Sequence, residues 1–195
     1  YRTVFIEVPR KNGKSTLCAA IGLYMLFADK ERGSEVYSAA GDRAQAGIVF
    51  EIAKGMILQS PELFQRGKVF RNSIVNESKG NFYQAISSDS KTKHGFNANC
   101  IIFDELHTQP NRDLWDTLVT STGSRRQPLT IAITTAGYDK QSICYEVYTY
   151  AKKVADSVIS DDSFYSVIYE SDKDDNITLE STWIKANPNY GISLK

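Results

Sequence analysis

The chain has 195 residues, 42% of them hydrophobic, and its 23 basic and 23 acidic side chains cancel to a formal charge of zero. This suits one α/β domain, or one with a small appendage, and excludes wholesale disorder. Residues 1–100 carry 14 Lys/Arg against 9 Asp/Glu and residues 101–195 carry 9 against 14, so one side of the fold is expected to be basic, while the neutral total argues against tight DNA binding by this segment alone. Cys18, Cys100 and Cys144 are far apart, contain no CxxC pair and are accompanied by only two histidines, His94 and His107, which excludes a zinc site and predicts buried, reduced thiols. No apolar run approaches 18 residues and there is no signal peptide, so no membrane span is expected. The start at Tyr1 and the end in "NPNYGISLK" are read as those of a piece excised from something longer.

In chain order, "TVFIEV" (3–8) is β-rich and closed by Pro9, which cannot donate to a ladder. "STLCAAIGLYMLFADK" (15–30) predicts a helix apolar nearly all round, hence buried, with Gly33 as its C-cap. "SEVYSAA" (34–40) predicts a second strand. Asp42 stands where an N-cap belongs, before a helix over "RAQAGIVFEIAKGMILQS" that Ser60-Pro61 ends. The short alternating runs "KVFRN", "SIVNE" and "NFYQAIS" between 67 and 87 predict hairpins, and 87–99 a polar loop. "CIIFDE" (100–105) is an apolar strand ending in two acids. Residues 112–122 predict a helix, 128–137 ("PLTIAITTAG") a strand, 142–156 a helix and 163–171 a late strand, with "DKDDN" (172–176) a solvated turn before "STWIKANPNYG". Strands alternating with helices favour a largely parallel sheet wrapped by helices.

The first chemical signal is "VPRKNGKST" (8–16). A triphosphate needs inward-pointing backbone N–H groups, a helix N-terminus behind them, one ammonium and a hydroxyl for magnesium. A β-run feeds this loop and a helix leaves it, so Pro9, Arg10, Lys11, Asn12, Gly13, Lys14, Ser15 and Thr16 are candidate nucleotide contacts. Gly13 permits close approach, Lys14 bridges the terminal phosphates and Ser15 ligates Mg²⁺. Val8, however, stands where the pattern GxxxxGK[ST] wants glycine.

The second signal is Asp104-Glu105. Such an NTPase needs a carboxylate on a neighbouring strand for the magnesium shell and a base or water-orienting group, roles expected of Asp104 and Glu105 respectively. The third is Thr134-Thr135-Ala136-Gly137 at another strand end, where short hydroxyl residues can sense the γ-phosphate and pass on its loss; alone, the pattern is also that of an ordinary turn.

"PRKNGKS", "VYSAAGDRAQAG", "SSDSKTKHGFN", "IIFDELH", "TTAG" and "WIKANPNYG" together resemble the ATPase domain of a tailed-phage or prophage terminase large subunit, over nearly the whole chain. In that family the phosphate loop is a variant with an early arginine, as Arg10 is here, so Val8 reads as a family trait. The resemblance implies an additional-strand, conserved-glutamate P-loop fold, with the ATPase core over 1–160 and residues 161–195 closing it and leading toward a nuclease domain outside this segment. It further implies ATP and Mg²⁺ as cofactors, double-stranded DNA as the translocated substrate, and portal protein and small terminase subunit as partners. The assembly it implies is a homo-oligomeric ring in the cytoplasm of a bacterial host, and the isolated segment is expected to be monomeric and a slow ATPase. A segment that contacts adenine is expected to be missing from this piece, because only seven residues precede Val8. Arg10 is expected to act on the γ-phosphate in cis, and Lys91 and Lys93 are candidate trans contacts.

Two other readings stand beside this one. "DELH" (104–107) also fits a superfamily 2 helicase core, although such a core needs a second RecA-like domain. A nucleotide-binding module without turnover is opposed by the presence together of Lys14, Ser15, Asp104 and Glu105. Trp115 and Trp183 are expected in packing, His94 and the Arg125-Arg126 turn exposed, and His107 is assigned no chemistry.

Overall fold

The computed structural model describes residues 1–88 and 95–194; Lys91, Lys93 and His94 lie outside the described residues. The strands are β1 (Thr3–Glu7), β2 (Glu35–Ala40), β3 (Lys68–Val69), β4 (Ser73–Asn76), β5 (Asn81–Ser87), β6 (Ala98–Asp104), β7 (Leu129–Thr134) and β8 (Phe164–Ile168). The helices are α1 (Lys14–Phe27), α2 (Arg43–Gln59), α3 (Pro61–Phe64), α4 (Asp113–Thr120), α5 (Ile143–Ala155) and α6 (Glu180–Ala186). One sheet takes the strands in the order β3-β4-β5-β2-β6-β7-β1-β8. From β5 to β8 every pairing is parallel, and the β3-β4-β5 meander is antiparallel along one edge.

Period-two alternation sorts the core into two layers. On β6, all seven residues are buried. Cys100 and Ile102 pack with α1 and α2 residues such as Cys18, Leu26, Val49 and Ala53, whereas Ile101 and Phe103 face Leu114 and Leu118 of α4 and Val147 and Ala151 of α5. A strand covered on both faces reads as a continuous apolar run, which is why "CIIF" stood out. The three thiols are free and buried, and burial pushes Cys18 up to about 12 and Cys144 up to about 11.

Several expectations change. α1 is not buried all round: Leu17, Ala20, Tyr24 and Ala28 form an outward stripe, with Leu17 and Tyr24 more than half exposed. Gly33 is not its cap, because α1 ends at Phe27 with Ala28 donating to the Tyr24 carbonyl, and Gly33 (φ +63°) instead turns the chain into β2. The acid-bearing β6 is not adjacent to β1, since β7 lies between them. Arg125 is no exposed basic turn: its side chain is 7% exposed and its guanidinium donates to the carbonyls of Asn97 and Gly33. Trp115 packs on Phe103 at 4.8 Å between ring centroids, but Trp183 is 44% exposed. Asp42 does cap α2, its Oδ1 accepting from Gln45 N–H at 2.9 Å.

Candidate active site

The parallel strands β1, β7 and β6 end side by side, so residues far apart in sequence meet at their carboxyl ends. Pro9 to Asn12 leave β1 and reach Gly13, whose φ of +81° lies in the left-handed region that a side chain disfavours. Gly13 opens α1 without any side-chain cap. The first helical bond runs from Leu17 N–H to the Gly13 carbonyl at 3.0 Å, leaving the Lys14, Ser15 and Thr16 N–H groups with no intrahelical acceptor. With the partial positive charge of the helix end, they form an anion site.

The loop's carbonyls are occupied. Lys14 is 8% exposed, and its Nζ donates to the Val8 carbonyl at 2.9 Å and the Pro9 carbonyl at 3.5 Å. Asn12 Nδ2 donates to the carbonyls of Pro9 (3.1 Å) and Arg10 (3.3 Å). Drawing the C=O groups toward these two side chains leaves the N–H groups for a ligand. Val8 therefore has its own place, buried in the core with its carbonyl holding Lys14. Arg10 and Lys11 are exposed, and Arg10 makes no ion pair among the described residues.

Asp104 is fully buried at the end of β6. Its Oδ2 accepts from Gln45 Nε2 on the first turn of α2 at 2.9 Å, while Oδ1 has no partner among the described residues. Burial chiefly pushes its carboxyl up to about 6, helped by Glu105 and opposed by Gln45 and Lys14. A buried carboxylate oxygen without a donor fits a hard cation, as does the hydroxyl of Ser15 at the loop's exit. No cluster of three or more ligating side chains occurs among the described residues. Among such hard cations, Mg²⁺ takes one or two protein oxygens and completes its shell with phosphates and water.

Glu105 adopts φ +49°, ψ +58°, a left-handed conformation rare for a residue with a long side chain and costing of order 1–3 kcal/mol. The turn brings its carboxylate back over the strand ends. Oε1 stands 3.8 Å from Lys14 Nζ, and Oε2 accepts from the Thr135 N–H (3.2 Å) and hydroxyl (3.4 Å). The Thr-Thr-Ala-Gly stretch thus touches both other motifs, because the Thr134 carbonyl accepts from Val8 N–H at 3.2 Å. Ala136 and Gly137 line the adjoining cavity of about 210 Å³, and at Gly137 an added Cβ would stand 3.1 Å from that of His107.

Three side chains here were given no role from sequence. His107 Nδ1 lies 2.9 Å from Thr134 Oγ1 and 3.3 Å from Glu105 Oε2. Since the Thr134 hydroxyl donates to the Thr135 carbonyl at 2.8 Å, the proton between His107 and Thr134 belongs to Nδ1. Gln45 reaches Asp104 from another element, and Glu7, 5% exposed at the end of β1, is pushed up to about 7 by burial and by Glu170, against Lys152. The last two are ordinary helix and strand residues with no local signal; His107, two residues after Glu105, was in view but unassigned.

A parallel α/β sheet with a Gly-Lys-Ser loop after β1 and an Asp-Glu pair two strands away is the architecture of a P-loop NTPase. The family model described as terminase large subunit, ATPase domain, matches residues 1–153. The large terminase subunit of Enterobacteria phage HK97 is 30% identical over 196 residues, covering 95% of this chain and 37% of that protein. The crystal structure of the HK97 large terminase superposes with a TM-score of 0.86 at 27% identity, covering 98% of this chain and 40% of that one. A large terminase of a thermophilic bacteriophage, in complex with ATP-γ-S, superposes at 0.60 with 13% identity, covering 92% and 41%.

The chain belongs to the terminase large subunit ATPase domain family. That membership separates it from the helicase reading left open by "DELH". It spans little more than a third of its HK97 relative.

Proposed function

We propose that the chain binds and hydrolyses ATP, and that within a longer protein this drives double-stranded DNA into a procapsid. The observation that carries the reading is the meeting of Lys14, Glu105 and Thr135 across three strand ends, 3.8 Å and 3.2 Å apart. The free N–H groups from Lys14 to Thr16 receive the phosphates, and Lys14 exchanges its loop carbonyls for their charge. Ser15 and Asp104 Oδ1 would hold Mg²⁺, which would neutralise charge on the terminal phosphates. Glu105 orients the attacking water and accepts its proton. The Thr135 N–H and hydroxyl hold Oε2, so that Oε1 keeps its bearing beside Lys14. Arg10, exposed on the loop and free of ion pairs among the described residues, acts on the γ-phosphate in cis.

Thr134 to Gly137 couple phosphate loss to the loop through the Thr134–Val8 bond. Residues 161–195 close the domain, β8 pairing along its length with β1. Lys91 and Lys93 are trans contacts by their place in the sequence just before the Asp-Glu strand, while a ring on the portal, a small-subunit partner and the cytoplasm of a bacterial host as the place of work rest on family membership. Among the described residues no helix is long and apolar enough to cross a membrane. The test is steady-state phosphate release with and without Mg²⁺ and duplex DNA. Slow, Mg²⁺-dependent turnover is expected; nucleotide binding with no release under any condition would make the chain a module without turnover.

A further inference from the structure

The motif "WIKANPNYG" has no part in the chemistry above, yet it lies against the phosphate loop. Asn12 Nδ2 donates to Asn187 Oδ1 at 3.1 Å, and Asn12 Oδ1 accepts from the backbone N–H of Asn189 at 3.0 Å. Ser193 Oγ donates to the Lys11 carbonyl at 3.3 Å. The partner segment is itself a closed hook. The Asn189 carbonyl accepts from the N–H groups of Ile192, Ser193 and Leu194, Tyr190 N–H returns to the Asn187 carbonyl, and Gly191 N–H to that of Leu194. Asn187 is anchored behind by its own Nδ2, which donates to the Trp183 carbonyl of α6 at 3.0 Å.

Asn12 is therefore shared. One amide edge gathers the carbonyls of Pro9 and Arg10, and the same amide is pinned by two groups of the hook. Fixing the amide fixes which way those peptide units face, and so which N–H groups remain free for phosphate. The peptide unit joining Asn189 to Tyr190 accepts three bonds at its carbonyl and donates one, from Tyr190 N–H to the Asn187 carbonyl, an arrangement in which each bond polarises the next.

From this geometry we infer that Asn187 is a positioning residue of the nucleotide site: acting through Asn12, it holds the phosphate loop in its receptive form and ties loop occupancy to the segment 187–194. The inference rests on the nucleotide-binding reading above. Because coupling between two sites is reciprocal, a hook that favours nucleotide is itself favoured by nucleotide, by the same factor.

The experiment uses the whole chain and ADP as the probe. Calorimetric titration of wild type, Asn187→Ala, Asn12→Ala and the double variant should show Asn187→Ala weakening ADP by about 3- to 10-fold, the scale of one lost hydrogen bond. The double variant should be no weaker than Asn12→Ala, since both act through one contact. In hydrogen–deuterium exchange, ADP should slow exchange over 187–194 in wild type and not in Asn187→Ala. Unchanged ADP affinity in Asn187→Ala, or additive losses in the double variant, overturns the inference. Without nucleotide, Asn187→Ala should still speed exchange over 10–13 and 187–194. A wild type that shows this difference but binds no ADP defeats the nucleotide reading; one that binds ADP but lacks the difference defeats the latch.

Discussion

At the amino ends of β5, β2 and β6, Asn81 accepts from Ser34 N–H through Oδ1 and donates through Nδ2 to the carbonyls of Leu26 and Glu31. Lys79 gives its ammonium to the carbonyls of Phe27 and Asp29 at the exit of α1, and Arg125 clamps Gly33 and Asn97. At the carboxyl ends, Asp104 keeps one buried oxygen unpaired, Glu105 sits at positive φ and Glu7 is a buried acid held above its ordinary range. Both ends bury polar and charged groups. The amino end satisfies nearly all of them internally, Asn99 Oδ1 being an exception, while beyond β6 Asp104 Oδ1 and both amide atoms of Gln109 have no partner among the described residues. Internal satisfaction contributes to stability, and unsatisfied groups at strand ends, where α/β sheets place their ligands, are what a ligand can complete.

The largest effect is expected from Glu105→Gln. It is nearly isosteric and keeps an acceptor for Thr135, but removes the charge that orients water, so turnover should fall by at least ~10²-fold with nucleotide binding retained. Phosphate release beside an ADP titration checks it, and near-normal hydrolysis removes Glu105 from the base role.

Asp104→Asn sharpens the contrast, because it should lose Mg²⁺-dependent turnover yet raise the melting temperature at pH 8. The wild-type carboxyl, at about 6 in the fold against 3.8 as a free group, resists the charge it must carry there. A variant that melts lower than wild type would show that the charge is already compensated.

At the other end, Asn81→Ala should do the reverse. It strands the buried Ser34 N–H and frees two carbonyls, costing ~1–3 kcal/mol in urea unfolding. ADP affinity should stay at the wild-type value; a weakened affinity would mean that the two ends are energetically linked.

The last test is a pH profile. Glu7, at about 7 in the fold against 4.5, holds its proton more tightly folded than unfolded, so its contribution to stability falls as pH rises from about 4.5 to 7. Glu7→Gln lacks this loss, and its melting temperature should gain on wild type across that window and run parallel above it. A constant difference at every pH would place the titration elsewhere.

Much of the site was legible because each motif declares its chemistry locally. Gly13-Lys14-Ser15 must follow a strand and open a helix, and Asp104-Glu105 must end an apolar run; both do. The hydrogen bonds that orient these groups left no such trace. Gln45 sits in an ordinary first helical turn, and nothing in its neighbours says that it reaches a carboxylate 59 residues on. The buried helix over 15–30 was misread for a related reason: composition cannot say which apolar residues lose their water, and Leu17 and Tyr24 keep theirs.

By itself the sequence determined the alternation of strand and helix, the phosphate loop, the acid pair and the family they resemble. These depend on side-chain period, on what Gly and Pro do to the backbone, and on residue types a few positions apart. Tertiary structure alone decided that β7 inserts between the loop strand and the acid strand, that Thr135 holds Glu105, and that Asn12 grips a hook 175 residues away. Strand order and hydrogen bonds across the sheet's edge are set by which surfaces bury one another, a property of the whole chain at once, and no local window of residues contains it.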